Sequence, residues 1–207
     1  MRRVIYLFLS VMATFAMTIA VASCSNETDK TLTSQQESIE KYLKGSHQPR
    51  LIPEAELGSS LDEEPQYYTQ WGLDIFRYIS TMYAEGRDAK PTAELGDKLS
   101  ITYTAYLFTG GAPNINNMYA TNDEASIVKL QESGLNTEYE WSSEPFIFCL
   151  GDGDILSSLE TALEGCREGD SVEIYLTFEA AYGNSYIGKV PSKSSVAWFI
   201  NINSITK

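Results

Sequence analysis

The chain has 207 residues, with 28 acidic side chains against 15 basic ones, a net charge of −13 and a single His. A chain this acidic is a poor partner for nucleic acid or for an anionic membrane face. One His and three Cys leave no basis for a zinc site or for Ser-His or Cys-His catalysis, and no metal or other cofactor is implied.

The chain opens Met1-Arg2-Arg3 and then runs apolar from Val4 to Ala22, interrupted only by Ser10, Thr14 and Thr18. A basic start, an apolar core and small residues at the end describe a secretory signal peptide over residues 1–23. The run closes Val21-Ala22-Ser23-Cys24 and a polar stretch, Ser25 to Asp29, follows at once. This ending resembles a bacterial lipobox. That resemblance implies cleavage before Cys24, lipidation of Cys24, and a protein held to the cell envelope, the outer membrane first, through its acyl chains alone. The alternative is a membrane-spanning anchor, since the run is almost long enough to span. Residues 1–23 carry two Arg and no acid, so their removal takes the net charge to −15.

Cys24 to Thr33 is polar and reads as a tether. Ser34-Gln35-Gln36-Glu37 has the form of a capping box, Ile39, Tyr42 and Leu43 form one helical stripe, and Gly45 is a natural stop, which predicts a short helix over 35–44. Ser46 to Pro65 holds three Pro, mixed charge and the lone His47, and reads as a linker, so 24–65 forms a tether with a short helix. From residue 66 strand patterns dominate. Leu73 to Met82 predicts a first long strand, and Glu94-Leu95-Gly96-Asp97 a turn. Leu99, Ile101, Tyr103, Ala105 and Leu107 then alternate with Ser100, Thr102, Thr104, Tyr106 and Phe108, the period of a half-buried strand.

Gly110-Gly111 ends that strand. Thr121-Asn122-Asp123-Glu124 reads as a second capping box, for a helix that carries Ile127 and Leu130 and stops at Gly134. Phe146, Phe148 and Leu150 alternate again. Asp154 is positioned to cap a helix with Ile155, Leu156, Leu159, Ala162 and Leu163 on one side, ended by Gly165. The Gly-Asp-Gly-Asp run at 151–154 lacks the spacing and closing Glu of a calcium loop. Val172 to Phe178 and Val196 to Ile202 supply two more alternating strands. Cys149 and Cys166 read as two buried small hydrophobes in preference to a bridge. The sum is an α+β domain, an antiparallel sheet packed on one main helix, without internal repeats.

The order of these pieces, and five phrases within them, resemble the FKBP-type prolyl isomerases. Leu95-Gly96-Asp97-Lys98 with Ile101-Thr102-Tyr103-Thr104 resembles the family's opening. Pro145-Phe146-Ile147-Phe148-Cys149-Leu150-Gly151, then Gly165-Cys166-Arg167-Glu168-Gly169-Asp170, then Ala181-Tyr182-Gly183, and finally Val190-Pro191 with Val196 to Ile202 resemble later signatures, in order, across 95–202. The resemblance implies an FKBP-type domain over 66–207 in which a twisted sheet wraps the helix and an aromatic pocket between them takes a prolyl ring. By the same resemblance Tyr103 and Tyr182 are the catalytic candidates, the Tyr182 hydroxyl gripping a substrate carbonyl. Phe146, Ile155, Leu156, Leu159 and Trp198 are the substrate-binding ones, the Leu156 N–H holding a second carbonyl. Partners would be proline-containing peptides or exported proteins.

Three departures qualify this. Leu159 stands where the family has a Trp at the pocket floor. The family's Phe-Asp pair falls on Pro113-Asn114 read without a gap, or on Tyr119-Ala120 read across an insertion of about 114–144, and neither supplies the Asp. Lys189 stands where an apolar residue would shield the pocket. Two further readings therefore stay open: an FKBP-like peptide or protein binder that is catalytically weak or silent, and a carbohydrate binder using Tyr and Trp residues such as Trp141.

Overall fold

The computed structural model describes residues 27–207; the signal run and Cys24 lie outside them. Eight strands form one sheet: β1 (Ile52–Pro53), β2 (Tyr67–Trp71), β3 (Ile75–Ile79), β4 (Lys98–Leu107), β5 (Met118–Thr121), β6 (Phe146–Cys149), β7 (Ser171–Leu176) and β8 (Val196–Thr206). Their order is β1-β2-β3-β7-β8-β4-β5, and β6 also pairs with β4. Thus β4 has β8 along one edge and shares its other edge, with β6 beside Lys98–Ile101 and β5 beside Thr104–Tyr106. No helix among the described residues is long and apolar enough to cross a membrane.

Period-two alternation gives the sheet two apolar faces. On the inner face Leu99, Ile101, Val172, Ile174, Leu176, Ile200 and Ile202 pack against Leu159, Ala162 and Leu163 of a seven-residue helix, Ser157–Leu163. On the outer face Tyr68, Phe76, Tyr78, Tyr175 and Ala197 pack against Ile39, Tyr42, Leu43 and Leu51 of the N-terminal segment. We call the N-terminal helix (27–41) α1, the helix Glu124–Glu132 α2, and Ser157–Leu163 α3. The sheet is therefore covered on both faces, α3 on one and α1 on the other. Ile39 of α1 and Leu43 just after it are fully buried, and at about 1.5–3 kcal/mol for each such side chain their contacts make this N-terminal segment an integral part of the domain.

The N-terminal region differs from its sequence pattern. α1 is already helical at residue 27, the first described residue and eight before the expected 35, and runs into a π-turn, Tyr42–Ser46. The stretch expected as a linker folds back on the outer face: Leu51 is buried, β1 pairs in parallel with β2, and His47 is only 2% exposed. The ring of His47 lies between Tyr42 and Tyr78, and its Nε2 is 3.0 Å from Glu173 of β7. The expected strand over Leu73–Met82 is instead the second arm of a hairpin, β2–β3, which turns at Gly72 with φ 57°, a backbone region that favours glycine.

Two expected caps are also displaced. Asp123, not Thr121, caps α2, accepting the Ser126 N–H at 2.9 Å. Thr121 belongs to β5, where its hydroxyl donates to the Tyr103 carbonyl. Asp154 does not cap α3: the chain stays extended through Leu156 (φ −57°, ψ 132°) and the helix has no side-chain cap. The turn before it is held by Glu160, whose Oε1 accepts both the Gly151 and Gly153 N–H groups at 3.0 Å. At the other end Arg77 Nη1 donates to the carbonyls of Ala162 and Glu164, a cation where the helix dipole favours one. Cys149 and Cys166 are both free; Cys166 is buried as expected, while Cys149, at the end of β6, is partly exposed.

Candidate active site

Between the inner face of the sheet and the start of α3 lies a cavity of about 370 Å³. β4 contributes Ile101 and Tyr103, β6 contributes Phe146, and β8 contributes Trp198 and Ile200. The turn into α3 and the helix itself contribute Asp154, Ile155, Leu156 and Leu159, and the loop after β7 contributes Tyr182. All seven side chains picked out for the pocket from sequence, Tyr103, Phe146, Ile155, Leu156, Leu159, Tyr182 and Trp198, thus meet in one place. The lipidation candidate Cys24 lies outside the described residues.

Strand register explains the aromatic wall. Tyr103 pairs with Ile200 and Ala105 with Trp198, so Tyr103 and Trp198 project from neighbouring strands on the same face. Their ring centroids are 5.0 Å apart. Phe146 meets Tyr103 edge-on at 6.5 Å, stacks on Phe148, and is 38% exposed, which places it at the rim. Leu159 is 1% exposed and closes the floor. Among the described residues the Leu156 N–H finds no acceptor. It is left with the Tyr182 hydroxyl as a donor available at the cavity.

A further aromatic packs behind the cavity wall, directed there by strand pairing. Between β4 and β5 the register jumps, Ala105 pairing with Ala120 but Tyr106 with Met118, so Tyr119 is the extra residue of a β-bulge. Bulges re-aim side chains. Here the ring of Tyr119 turns edge-on to both Tyr182 and Trp198, at 6.2 Å from each. Of the two readings of the family's Phe-Asp pair, Pro113-Asn114 lies in the loop before β5, whereas Tyr119-Ala120 lies in β5 with the Tyr119 ring against Tyr182 and Trp198. The nearby Asp123 is engaged at the α2 cap. Asp154, expected only as a cap, is the carboxylate that lines the cavity; its place one residue before the Ile155-Leu156 pair was the available signal.

The hydroxyls here are held in the neutral form. Burial pushes Tyr119 well above the ordinary phenol value, and the neighbouring Tyr182 adds to it. Burial likewise raises Tyr182, against a smaller opposing effect from its hydrogen bond with Tyr119. Burial and then Tyr182 raise Tyr103. All three remain proton donors across the neutral range.

The loop bearing Tyr182 is tied down from both faces. Ser158 of α3 donates to the Ala180 carbonyl at 2.6 Å. From the opposite side Gln35 of α1 accepts the Phe178 N–H and donates to the Lys193 carbonyl, each at 2.8 Å, so one side-chain amide clamps both ends of the loop. Lys189, near the loop tip, is drawn away from the cavity: it pairs with Glu138 at 3.2 Å and also contacts Asn136.

A mainly antiparallel sheet packed on α3, with an aromatic-walled cleft between them, is the arrangement that the sequence resemblance implied. The family model of FKBP-type peptidyl-prolyl cis-trans isomerases matches residues 90–203, from the turn before β4 into β8. The chain belongs to that family, and the match points to proline-containing peptides as substrates. No curated protein matches the chain. The hairpin β2–β3 and α1, which covers the outer face, precede the matched region.

Proposed function

We propose that the protein catalyses cis–trans isomerisation of X–Pro bonds in exported proteins, and that it does so as a lipoprotein anchored through Cys24. The observation that carries the catalytic part is the single cavity in which the aromatic wall, the Leu159 floor and the Tyr182 and Leu156 donors converge. Rotation about an X–Pro bond has a barrier of about 18–20 kcal/mol, because the planar amide is stabilised by resonance. Twisting the bond breaks that resonance and leaves a less polar group. A dry apolar wall favours the twisted state over the planar one, and rate follows from that difference alone. Each 1.36 kcal/mol of preference is about tenfold in rate.

In this site Tyr103, Trp198 and Phe146 enclose the prolyl ring. Tyr182 donates to one carbonyl of the bound peptide and the Leu156 N–H to its neighbour, which fixes the chain on both sides of the rotating bond. The anchor is supported by the basic start, the apolar run and the Val21-Ala22-Ser23-Cys24 ending. Slow proline isomerisation limits folding, and a tethered isomerase at the envelope meets chains as they emerge. A protease-coupled or NMR exchange assay on an Ala-Pro tetrapeptide tests the activity; turnover at the uncatalysed rate would sink it. Mass spectrometry of the purified protein tests the anchor, which predicts a diacylated Cys24 at the N-terminus.

A second reading, a peptide binder with little catalysis, is favoured by two observations: Leu159 forms the floor without a large flat ring, and Ala120 supplies no carboxylate. It predicts peptide binding at the cavity without rate enhancement.

A further inference from the structure

Next to the prolyl cavity lies a second one of about 440 Å³ that shares Tyr103 and Phe146 as walls. Its far side is built by the segment between α2 and β6, which contributes Glu140, Trp141 and Glu144. The segment is anchored at several points. Asn122 Nδ2 donates to the Glu144 carbonyl and Asn136 Nδ2 to that of Met118. Glu138 pairs with Lys189, and Tyr139 comes up against Gly188, where an added Cβ would lie 3.1 Å from the Tyr139 hydroxyl. Tyr139 in turn backs Trp141, with ring centroids 5.5 Å apart.

The charge along the two cavities is one-sided. Asp154 lines the first, Glu140 and Glu144 line the second, and no Lys or Arg lines either. Neither Glu140 nor Glu144 makes an ion pair among the described residues, whereas the nearby Lys189 is already matched by Glu138. An indole and two unpaired carboxylates that line one cavity suit a cationic side chain, which the ring face attracts and the acids match in charge.

We propose that this second cavity is a subsite for a lysine or arginine side chain adjacent to the proline of the bound peptide. The proposal rests on the prolyl reading of the first cavity and adds sequence selectivity to it: the shared Tyr103–Phe146 wall separates the ring from its neighbour's side chain, so the peptide crosses from one cavity to the other at that wall. Among exported chains the protein would then favour prolines flanked by basic residues.

The test uses the full chain and two peptide series, Ala-X-Pro-Ala-Ala and Ala-Ala-Pro-X-Ala, with X as Lys, norleucine or Glu. Binding is followed by NMR at the indole N–H of Trp198 for the first cavity and of Trp141 for the second. In one series the Lys peptide should bind roughly tenfold tighter than the Glu peptide at low salt, norleucine should fall between, and Trp141 should shift. The gap should narrow at high salt and close in the Glu140→Gln/Glu144→Gln double variant. A peptide with Lys four residues from the proline, which senses only the overall negative charge, should show a much smaller preference. Equal affinities for Lys and Glu in both series, or tightest binding by norleucine, with Trp198 shifting normally, would overturn the subsite and leave the prolyl pocket standing. No shift at Trp198 with any peptide would overturn both.

Discussion

The hydroxyl of Tyr119 lies 3.3 Å from the hydroxyl of Tyr182. The contact exists because a β-bulge turns Tyr119 inward from β5. One phenol therefore sits against the oxygen of another, the group that the proposed mechanism uses to donate to the substrate. Tyr119→Phe keeps the ring and removes the hold. It should lower kcat/KM about twofold to fivefold, whereas Tyr182→Phe, which removes the donor itself, should cost about tenfold. Because burial raises both phenols, the wild-type rate should stay flat from about pH 6 to pH 9. An isomerase assay across that range checks both points; a decline setting in below about pH 9 would show that Tyr182 is not buried as described.

Gln35 lies outside the family-matched region yet bonds to both ends of the Tyr182 loop. Gln35→Ala leaves the Phe178 N–H and Lys193 carbonyl without their partner, so the loop should loosen while the sheet stays intact. The expected result is a loss of about 1–2 kcal/mol in stability and faster amide exchange confined to 178–193. A uniform change in exchange across the domain would instead mean that α1 had detached as a whole.

The outer-face packing also predicts a pH dependence. His47 is buried with Nε2 3.0 Å from Glu173 and Nδ1 against the Pro49 carbonyl, so both ring nitrogens face acceptors. Burial pulls its pKa down, but the Glu173 hydrogen bond, the Pro49 carbonyl and the Glu173 charge together carry it above the ordinary value. A raised folded-state pKa means that the protonated pair stabilises fully below the unfolded value, about 6.5, and is lost as pH rises through the higher folded value. The melting temperature should fall by a few degrees between about pH 6 and pH 8. His47→Gln should remove that part of the slope. An equal slope in the variant would mean that other groups control it.

Why some of this could be read from sequence, and some not, follows from the range of each interaction. β4 shows its period of two within ten residues, and it places Tyr103 and its partners on the inner face without outside help. Tyr119 could not be placed, because its direction depends on a register jump between two strands. His47 looked like a linker residue because its partner Glu173 is 126 positions away. The run Tyr67-Tyr68-Thr69-Gln70-Trp71, next to Pro65, lacks alternation, and only its pairing with β3 makes it a strand. The polar stretch of α1 before residue 35 carries no apolar stripe, so that part of the helix was invisible. The pocket residues were legible because the family phrases are local, and their convergence required the fold.

The pocket floor gives the last prediction. The family's large flat ring on the helix is absent at Leu159, but β8 supplies one at Trp198, so the same cavity receives an indole from the sheet instead of from α3. Leu159 is 1% exposed, and Leu159→Trp alone should overpack the floor and cost about 1–3 kcal/mol. Trp198 has an indole N–H that is buried without a hydrogen-bond partner among the described residues, so Trp198→Phe removes an unsatisfied donor as well as volume. The paired change Leu159→Trp/Trp198→Phe returns the ring to the helix at nearly conserved volume and should recover most of the stability lost by the first substitution, a coupling expected of residues that share a cavity. Thermal melts of the three variants test the packing, and isomerase rates test which indole position serves the twisted state. Full stability in Leu159→Trp alone would mean that the floor is open and the cavity deeper than described. Activity in the double variant well above that of the wild type would identify the floor as what holds catalysis back, and so separate a slow enzyme from a silent binder.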